Sequence, residues 1–331
     1  MAGEVTLGLV VVLVLVLAAE FVNGWTDAPN AIATVVSTRV MSPRKAVLMA
    51  TLLNIAGAFA GTAVAVTIGT GIVDPSVINL LTIGAAMVAI VSWSTAAARY
   101  GLPTSESHAL AAGLAGAGLA TAGPGVLLWS GWAKILVGIF FSTILGFLGG
   151  GLLVVAIYRI FQKKSPAMVR RLFSRLQPFS AAFMAFGHGS NDGQKFIGVF
   201  ALALVLGGIL PTFSIPYQVI FLCAVVMGLG TSIGGWRIIR TMGMRMVKLE
   251  VYQGFAAETG AGAVIMIASI FGIPLSTTHT INTSIMGVGS VKRLSAVNWG
   301  VSRQIIMAWI LTFPVCGAIS WGVTTVAMMF F

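Results

Sequence analysis

Residues 101–108 read Gly101-Leu102-Pro103-Thr104-Ser105-Glu106-Ser107-His108, and residues 272–279 read Gly272-Ile273-Pro274-Leu275-Ser276-Thr277-Thr278-His279. A second shared signature precedes each: Gly24-Trp25-Thr26-Asp27 before the first and Gly189-Ser190-Asn191-Asp192 before the second. The proline follows the aspartate by 76 residues in one copy and by 82 in the other. Order, spacing and chemistry agree, so the chain carries an internal duplication.

Around these motifs the chain is apolar. Of 331 residues 58% are hydrophobic and only 8% charged, against roughly 25% charged in an average soluble domain. Apolar segments fall at 5–38, 46–69, 78–98, 104–122, 132–157, 178–209, 217–235, 250–271, 274–290 and 305–328. A bilayer crossing takes about 20 apolar residues, so ten segments with short links use the whole length, and no separate catalytic or nucleic-acid domain fits. The apolar run from Val5 to Ala19 follows Glu4 with no Lys or Arg before it, unlike a secretory signal. Cys223 and Cys316 lie inside apolar runs and read as packing residues, giving no support to a disulfide or a zinc site. Trp129 and Trp132 read as interfacial anchors. The first and sixth segments exceed 30 residues and carry Gly-rich polar interruptions, which predicts a broken helix in each.

The formal charge of +11 reads as an orientation signal. The clusters Arg39, Arg44, Lys45; Arg99; Arg159 to Arg175; Arg237 to Lys248; and Lys292, Arg293, Arg303 hold 17 of the 19 basic residues. Alternate crossings bring all of them to one face, the cytoplasmic one by the positive-inside rule; Lys134 sits near an outer end. The basic stretch 158–177 divides the chain into a first repeat, 1–157, and a second, 178–331, with five segments each. Five is odd, so the copies are inverted. The fold class expected is an all-α polytopic membrane protein of two inverted-topology repeats with broken or re-entrant helices, the architecture of secondary transporters. Whether segments 104–122 and 274–290 span or re-enter is left open by the pattern.

The chemistry-bearing residues concentrate in the motifs. All three histidines, His108, His188 and His279, fall there; Asp27 and Asp192 hold paired positions; and Glu106 is in the first proline motif, while Glu20 and Glu258 lie in apolar segments. An ionisable group at membrane depth is costly unless paired or hydrated, which marks it for function. Capping of broken backbone and hydroxyl glue between helices are the plainer readings, but they do not explain why the whole constellation is duplicated. A proline in the first turn followed by Ser and Thr opens a helix whose free N–H groups attract an anion. Two such ends, with Ser105, Ser107, Ser276, Thr277 and Thr278, form a candidate oxyanion clamp. Asp27 and Asp192 suit a small cation or a proton. Lys195 takes the place of Asn30 when the aspartates are aligned, as a partner for Asp192 that also stands in for one coupling cation. Glu106, opposite Thr277 in the repeat, would repel a bare anion but suits a protonated oxyanion such as hydrogen phosphate, which has a P–OH to donate whereas sulfate has none; carrying the coupling proton is its other reading.

At these residues the sequence resembles the inorganic phosphate transporter (PiT) family, in its bacterial low-affinity permease form. Asn23-Gly24-Trp25-Thr26-Asp27-Ala28-Pro29-Asn30 matches the first family signature, and His188-Gly189-Ser190-Asn191-Asp192-Gly193-Gln194-Lys195 the bacterial form of the second. The resemblance implies phosphate uptake in symport with a cation across the cell inner membrane, by a homodimer and not by an enzyme. It places phosphate at Ser105, Ser107, Ser276, Thr277, Thr278, Asp27, Asp192, Gln194 and Lys195, and the coupling cation at Asn23, Asp27, Asn30, Glu106, Asn191 and Asp192. Thr26 stands where the family often has Asn. Lys195 in place of Asn points to proton rather than sodium coupling, with a divalent metal carried alongside phosphate. No covalent cofactor is expected. A sulfate permease of the same family and an anion channel are the alternatives; an intramembrane hydrolase would leave the duplication unexplained.

Overall fold

The computed structural model describes residues 6–330; Val5, where the first apolar segment begins, and Glu4 before it lie outside the described residues. Within 6–330 the chain is helical, and the β pairing consists of two isolated bridges. In chain order the helices are α1 (Leu7–Ser37), α2 (Pro43–Ala58), α3 (Ala63–Gly71), α4 (Leu80–Arg99), α5 (Glu106–Ala122), α6 (Trp129–Phe161), α7 (Pro166–His188), α8 (Gln194–Leu206), α9 (Tyr217–Ile233), α10 (Trp236–Arg240), α11 (Val251–Ile270), α12 (Thr277–Lys292) and α13 (Trp299–Ala327).

The elements repeat as the motifs do. A long helix is followed by a bent pair, α2 with α3 at 69° and α9 with the Trp236–Met246 helix at 59°. Then comes a helix opened by a capping box, Asn79 with Thr82 on α4 and Glu250 with Gln253 on α11. The proline motif, a short helix, a 3₁₀ turn (Pro124–Val126 or Leu294–Ala296) and a last long helix complete each copy. The bridges recur at the same place, Val73 with Leu127 and Val247 with Val297.

Glycines report a pseudo-two-fold relation between the copies. A Cβ on Gly24 would come to 2.1 Å from the Met227 carbonyl oxygen, and one on Gly189 to 2.1 Å from that of Asn54. Gly57 meets Phe186 O at 2.2 Å as Gly230 meets Phe21 O at 2.1 Å, and Gly116 meets Gly317 O at 2.2 Å as Gly287 meets Phe147 O at 2.1 Å. Small residues let membrane helices approach until backbones touch, which replaces the missing hydrophobic drive between helices in lipid.

Three sequence expectations change. The first segment is one continuous helix through Gly24–Asp27, with Pro29 inside it. The sixth is interrupted only by a π-helical turn, Gly189–Gly193, between α7 and α8. The breaks lie instead in the second and seventh segments, at Phe59–Thr62 and Gly234–Gly235. The stretch 158–177 is mostly helix: α6 runs to Phe161 and α7 begins at Pro166, which leaves four residues between them. Pro178, where the sixth segment was expected to start, sits inside α7. Five helices, α1, α4, α6, α11 and α13, are each long and apolar enough to cross a membrane, and the bent pairs bring the number to seven. α5 and α12, at 17 and 16 residues, reach about 25 Å, short of the roughly 30 Å hydrocarbon core.

Packing interleaves the copies. α5 lies against α13 and α12 against α6, while α1 packs on α4 and α9 and α7 on α2 and α11. Two apolar cores result. One gathers Val12, Val16 and Ala19 of α1 with Phe196, Ile197 and Val199 of α8. The other gathers Ala31, Ile32 and Val35 of α1 with Ala181, Met184 and Ala185 of α7. The polar residues of α1 and of the α7–α8 junction lie between them as a buried layer. Cys223 and Cys316 are buried. Trp129 is exposed, while Trp132 donates its indole N–H to Ile72 O at 3.2 Å. Lys134 donates to Thr67 Oγ1 at 3.1 Å. In the exposed loop before α4, hydrogen bonds from the Ser76 side chain and backbone to Asp74 hold that carboxyl below its usual range.

Candidate transport site

The polar layer is built on two helix ends. Ser105 and Ser276 are the N-caps of α5 and α12, and their hydroxyls accept from the N–H of His108 at 3.3 Å and of His279 at 3.1 Å. The two ends meet head to head: Ser107 Oγ donates to Leu275 O at 2.7 Å. The His108 and His279 rings lie edge to face, 4.4 Å apart, and rest on Phe313 and Trp309 respectively. Because equivalent N-termini oppose each other, the copies run in opposite senses, as an inverted repeat requires. The first N–H groups of a helix have no intrahelical acceptor and carry about half a positive charge. Glu106, Ser107, Thr277 and Thr278 therefore bring two anion-attracting ends to one place.

Beside this junction lie the acids. Lys195 Nζ donates to Asp192 Oδ1 at 2.5 Å, to Ser107 Oγ at 2.5 Å and to Leu275 O at 2.9 Å. Thr277 Oγ1 donates to Asp192 Oδ2 at 3.0 Å, and Thr278 Oγ1 to Asp27 at 3.3 Å. Asn30 Nδ2 reaches Thr278 Oγ1 at 2.9 Å and Thr277 Oγ1 at 3.3 Å. Asp27, Asp192 and Lys195 are 2%, 1% and 0% exposed, so the network is buried.

His188 completes it. Asn54 gives its amide N–H to Thr231 Oγ1 at 3.0 Å, which leaves Asn54 Oδ1 as the acceptor for His188 Nδ1 at 3.2 Å. That assigns the ring proton to Nδ1 and turns the Nε2 lone pair toward Asp192 Oδ2 at 3.6 Å and Asp27 Oδ2 at 3.9 Å. Among the described residues Nε2 has no hydrogen-bond partner. Asp27, His188 and Asp192 each offer one ligand atom, all within 4.8 Å of one another. Three acceptors facing each other in a buried site repel unless a proton or a metal ion lies between them.

The remaining expected residues divide. Glu106 accepts from Thr26 Oγ1 at 3.1 Å through Oε1, and its Oε2 is unpartnered. Asn23 Nδ2 donates to Glu20 Oε2 at 3.0 Å, with Asn23 Oδ1 and Glu20 Oε1 left free. Glu20 and Glu106 are buried in the same layer, so four carboxylates share it with one lysine. Asn191 turns away and donates to Ser269 Oγ and Ile273 O. Gln194 is likewise outside the network: it donates to Ser190 O at 2.6 Å and accepts from Val64 N at 3.0 Å, tying α8 to the start of α3. The sequence set His188 in the second signature and marked it for function without a specific role, and it did not single out Asn54 or Thr231; a lone Asn in the apolar run 46–69 is the signal that could have found that pair. Glu258 forms a separate cluster, accepting from Thr34, Ser180 and Gln177.

The profile of the phosphate transporter family matches residues 23–320. The chain belongs to the phosphate transporter family. A relative from Rhizobium meliloti, named a probable low-affinity inorganic phosphate transporter, is 44% identical over 303 residues and covers 91% of each chain. One of the same name from Bacillus subtilis is 38% identical over 309 residues, covering 92% of this chain and 93% of its own. A solved structure described as the sodium-dependent phosphate transporter superposes with a TM-score of 0.88 at 23% identity, covering 98% of this chain and all of that one. Membership of the phosphate transporter family makes this a multi-pass membrane transporter rather than an enzyme.

Proposed function

We propose that this chain imports inorganic phosphate in symport with protons, holding the anion where α5 and α12 meet and the proton among Asp27, His188 and Asp192. The observation that carries the reading is the convergence of three acceptor atoms beside two opposed helix N-termini. An anion site and a cation site that adjoin stabilise each other, which couples the two solutes. Proton is favoured over sodium by chemistry. Sodium, a hard cation, prefers an all-oxygen shell, whereas an imidazole nitrogen is a strong proton acceptor. Lys195 supplies as a fixed charge what a second loose cation would supply at the position of Asn30. The same Asp-His-Asp set suits the divalent metal of a metal–phosphate complex, with the metal as cargo. Glu106 Oε2, free and buried, is placed to accept from P–OH, which favours hydrogen phosphate over sulfate.

Access alternates when the α5 and α12 ends part toward one face and then the other around the fixed site. The basic loops face the cytoplasm. The test is uptake of labelled phosphate into proteoliposomes with proton and sodium gradients imposed separately, with and without magnesium. Accumulation driven by the proton gradient and collapsed by a protonophore is expected; accumulation that follows only the sodium gradient overturns the coupling assignment. Asp27→Asn is expected to abolish concentrative uptake, and unchanged accumulation would remove Asp27 from the cation site.

A further inference from the structure

On the face that carries the basic loops, Tyr100, Gly101, Trp236, Arg237, Arg240, Thr241 and Arg245 enclose a cleft of 390 Å³. It lies against the linker that joins α4 to the N-cap Ser105. Gly101 adopts φ +71°, and a Cβ there would meet the Arg237 backbone and Cβ at 3.2–3.4 Å, so the start of α10 packs directly on the linker. The Arg237 guanidinium donates to the Arg99 carbonyl. Arg240 and Arg245 are exposed and form no ion pair among the described residues. Their charge is free to face a ligand.

The inverted copy supplies the control. Gly272, with φ +63°, takes the place of Gly101, and its Cβ would meet Ala63. Around Ala63 the chain reads Phe59-Ala60-Gly61-Thr62, without a basic residue. One linker is therefore flanked by three arginines, and its counterpart by a single lysine, Lys134, which donates to Thr67 Oγ1 at 3.1 Å while that hydroxyl donates to Gly272 O at 2.8 Å. The positive-inside bias accounts for a basic face, but not for arginines, a threonine and two aromatic walls gathered around one cleft on the linker to the transport site. Guanidinium groups bind phosphate oxygens by forked, charge-assisted hydrogen bonds.

We infer that this cleft is a second binding site, for a phosphate group: inorganic phosphate from the cytoplasmic side or the headgroup of an anionic lipid. Its occupancy clamps linker 100–105 and slows the carrier. The binding claim stands apart from the transport reading; the slowing rests on it. Trp236 is in the cleft wall and reports locally, as the difference in fluorescence between the parent protein and Trp236→Phe. Purified protein in lipid-free detergent is titrated with inorganic phosphate at an ionic strength fixed with KCl. A saturable Trp236 signal is expected, kept in Asp27→Asn and at least about tenfold weaker in the double variant Arg240→Gln/Arg245→Gln. A saturable signal given only by vesicles containing phosphatidic acid, not by phosphatidylcholine alone, and lost in the same double variant, supports the site and names the lipid headgroup as its ligand. A signal that KCl reproduces, or that the double variant leaves unchanged, overturns the site. In proteoliposomes, phosphate on the basic face should slow uptake less in the double variant than in the parent; equal slowing overturns the clamp.

Discussion

Lys195 is the residue on which the charge balance of the centre turns. It is fully buried and makes its ion pair with Asp192 at 2.5 Å. Removing one partner of such a pair leaves the other buried and uncompensated, at a cost of about 3–5 kcal/mol. Lys195→Met should therefore lower the thermal unfolding midpoint in detergent. Asp192→Asn added to it should recover most of that loss without restoring transport; if the double variant is no more stable than the single one, the pairing argument fails. Glu106→Thr copies into the first half the residue of the second. It should cut discrimination between phosphate and sulfate in uptake competition by about tenfold, the worth of one charge-assisted hydrogen bond. Asp27, Asp192 and Lys195 were legible in the sequence because ionisable side chains in apolar runs are rare. The proton position on His188 was not, since Asn54 fixes it from 134 residues away and Thr231 fixes Asn54. That Gln194 and Asn191 point away from the junction was not legible for a related reason: a motif gives neighbours along the chain, whereas the π-helical turn at 189–193 decides which side chains face the junction.

Helix crossings explain where the breaks fall. Gly24 and Gly189 looked like interruptions, but each marks a point where another backbone comes within van der Waals contact. Inside α1, Pro29 leaves the Trp25 carbonyl without its usual N–H, and Gly235 packs close to that oxygen and to the proline ring. The helix continues because neighbours accommodate the fault. At Gly234–Gly235 the chain bends instead, with Gly234 at φ +63°, a conformation costly to any side chain. Gly230→Ala places a methyl 2.1 Å from Phe21 O, where only backbone could yield. It should cost a few kcal/mol by overpacking, seen as poor recovery of folded protein on size exclusion. Gly322→Ala, on α13 with nothing within 4 Å of its Cβ, should be neutral or stabilise by up to about 1 kcal/mol. Equal losses at both positions would dismiss the crossing as the reason for the glycine. The opposition of α5 and α12 followed from the duplicated, inverted proline motifs; the number of helices did not follow from hydropathy, since thirteen stand where ten apolar segments were read and the bends fall in the second and seventh segments, because neighbours from distant parts of the chain decide where a helix can bend and leave no periodic trace.

At the scale of the molecule, the orientation can be checked directly. Cys223 and Cys316 are buried, so a thiol introduced at an exposed loop reports alone. An impermeant maleimide added to whole cells should label Ser76→Cys and should reach Lys164→Cys only after the membrane is opened, both sites being exposed. The reverse pattern would invert the assignment of the faces. The interleaving of the copies bears on how the protein is made. A ribosome that has delivered α1–α6 has produced a set in which α5 still lacks α13 and α6 still lacks α12. The newborn amino-terminal portion must wait in the bilayer with unfilled helix faces and unneutralised acids. The amino-terminal half therefore reaches its final packing only once the carboxy-terminal helices that fill those faces have been made.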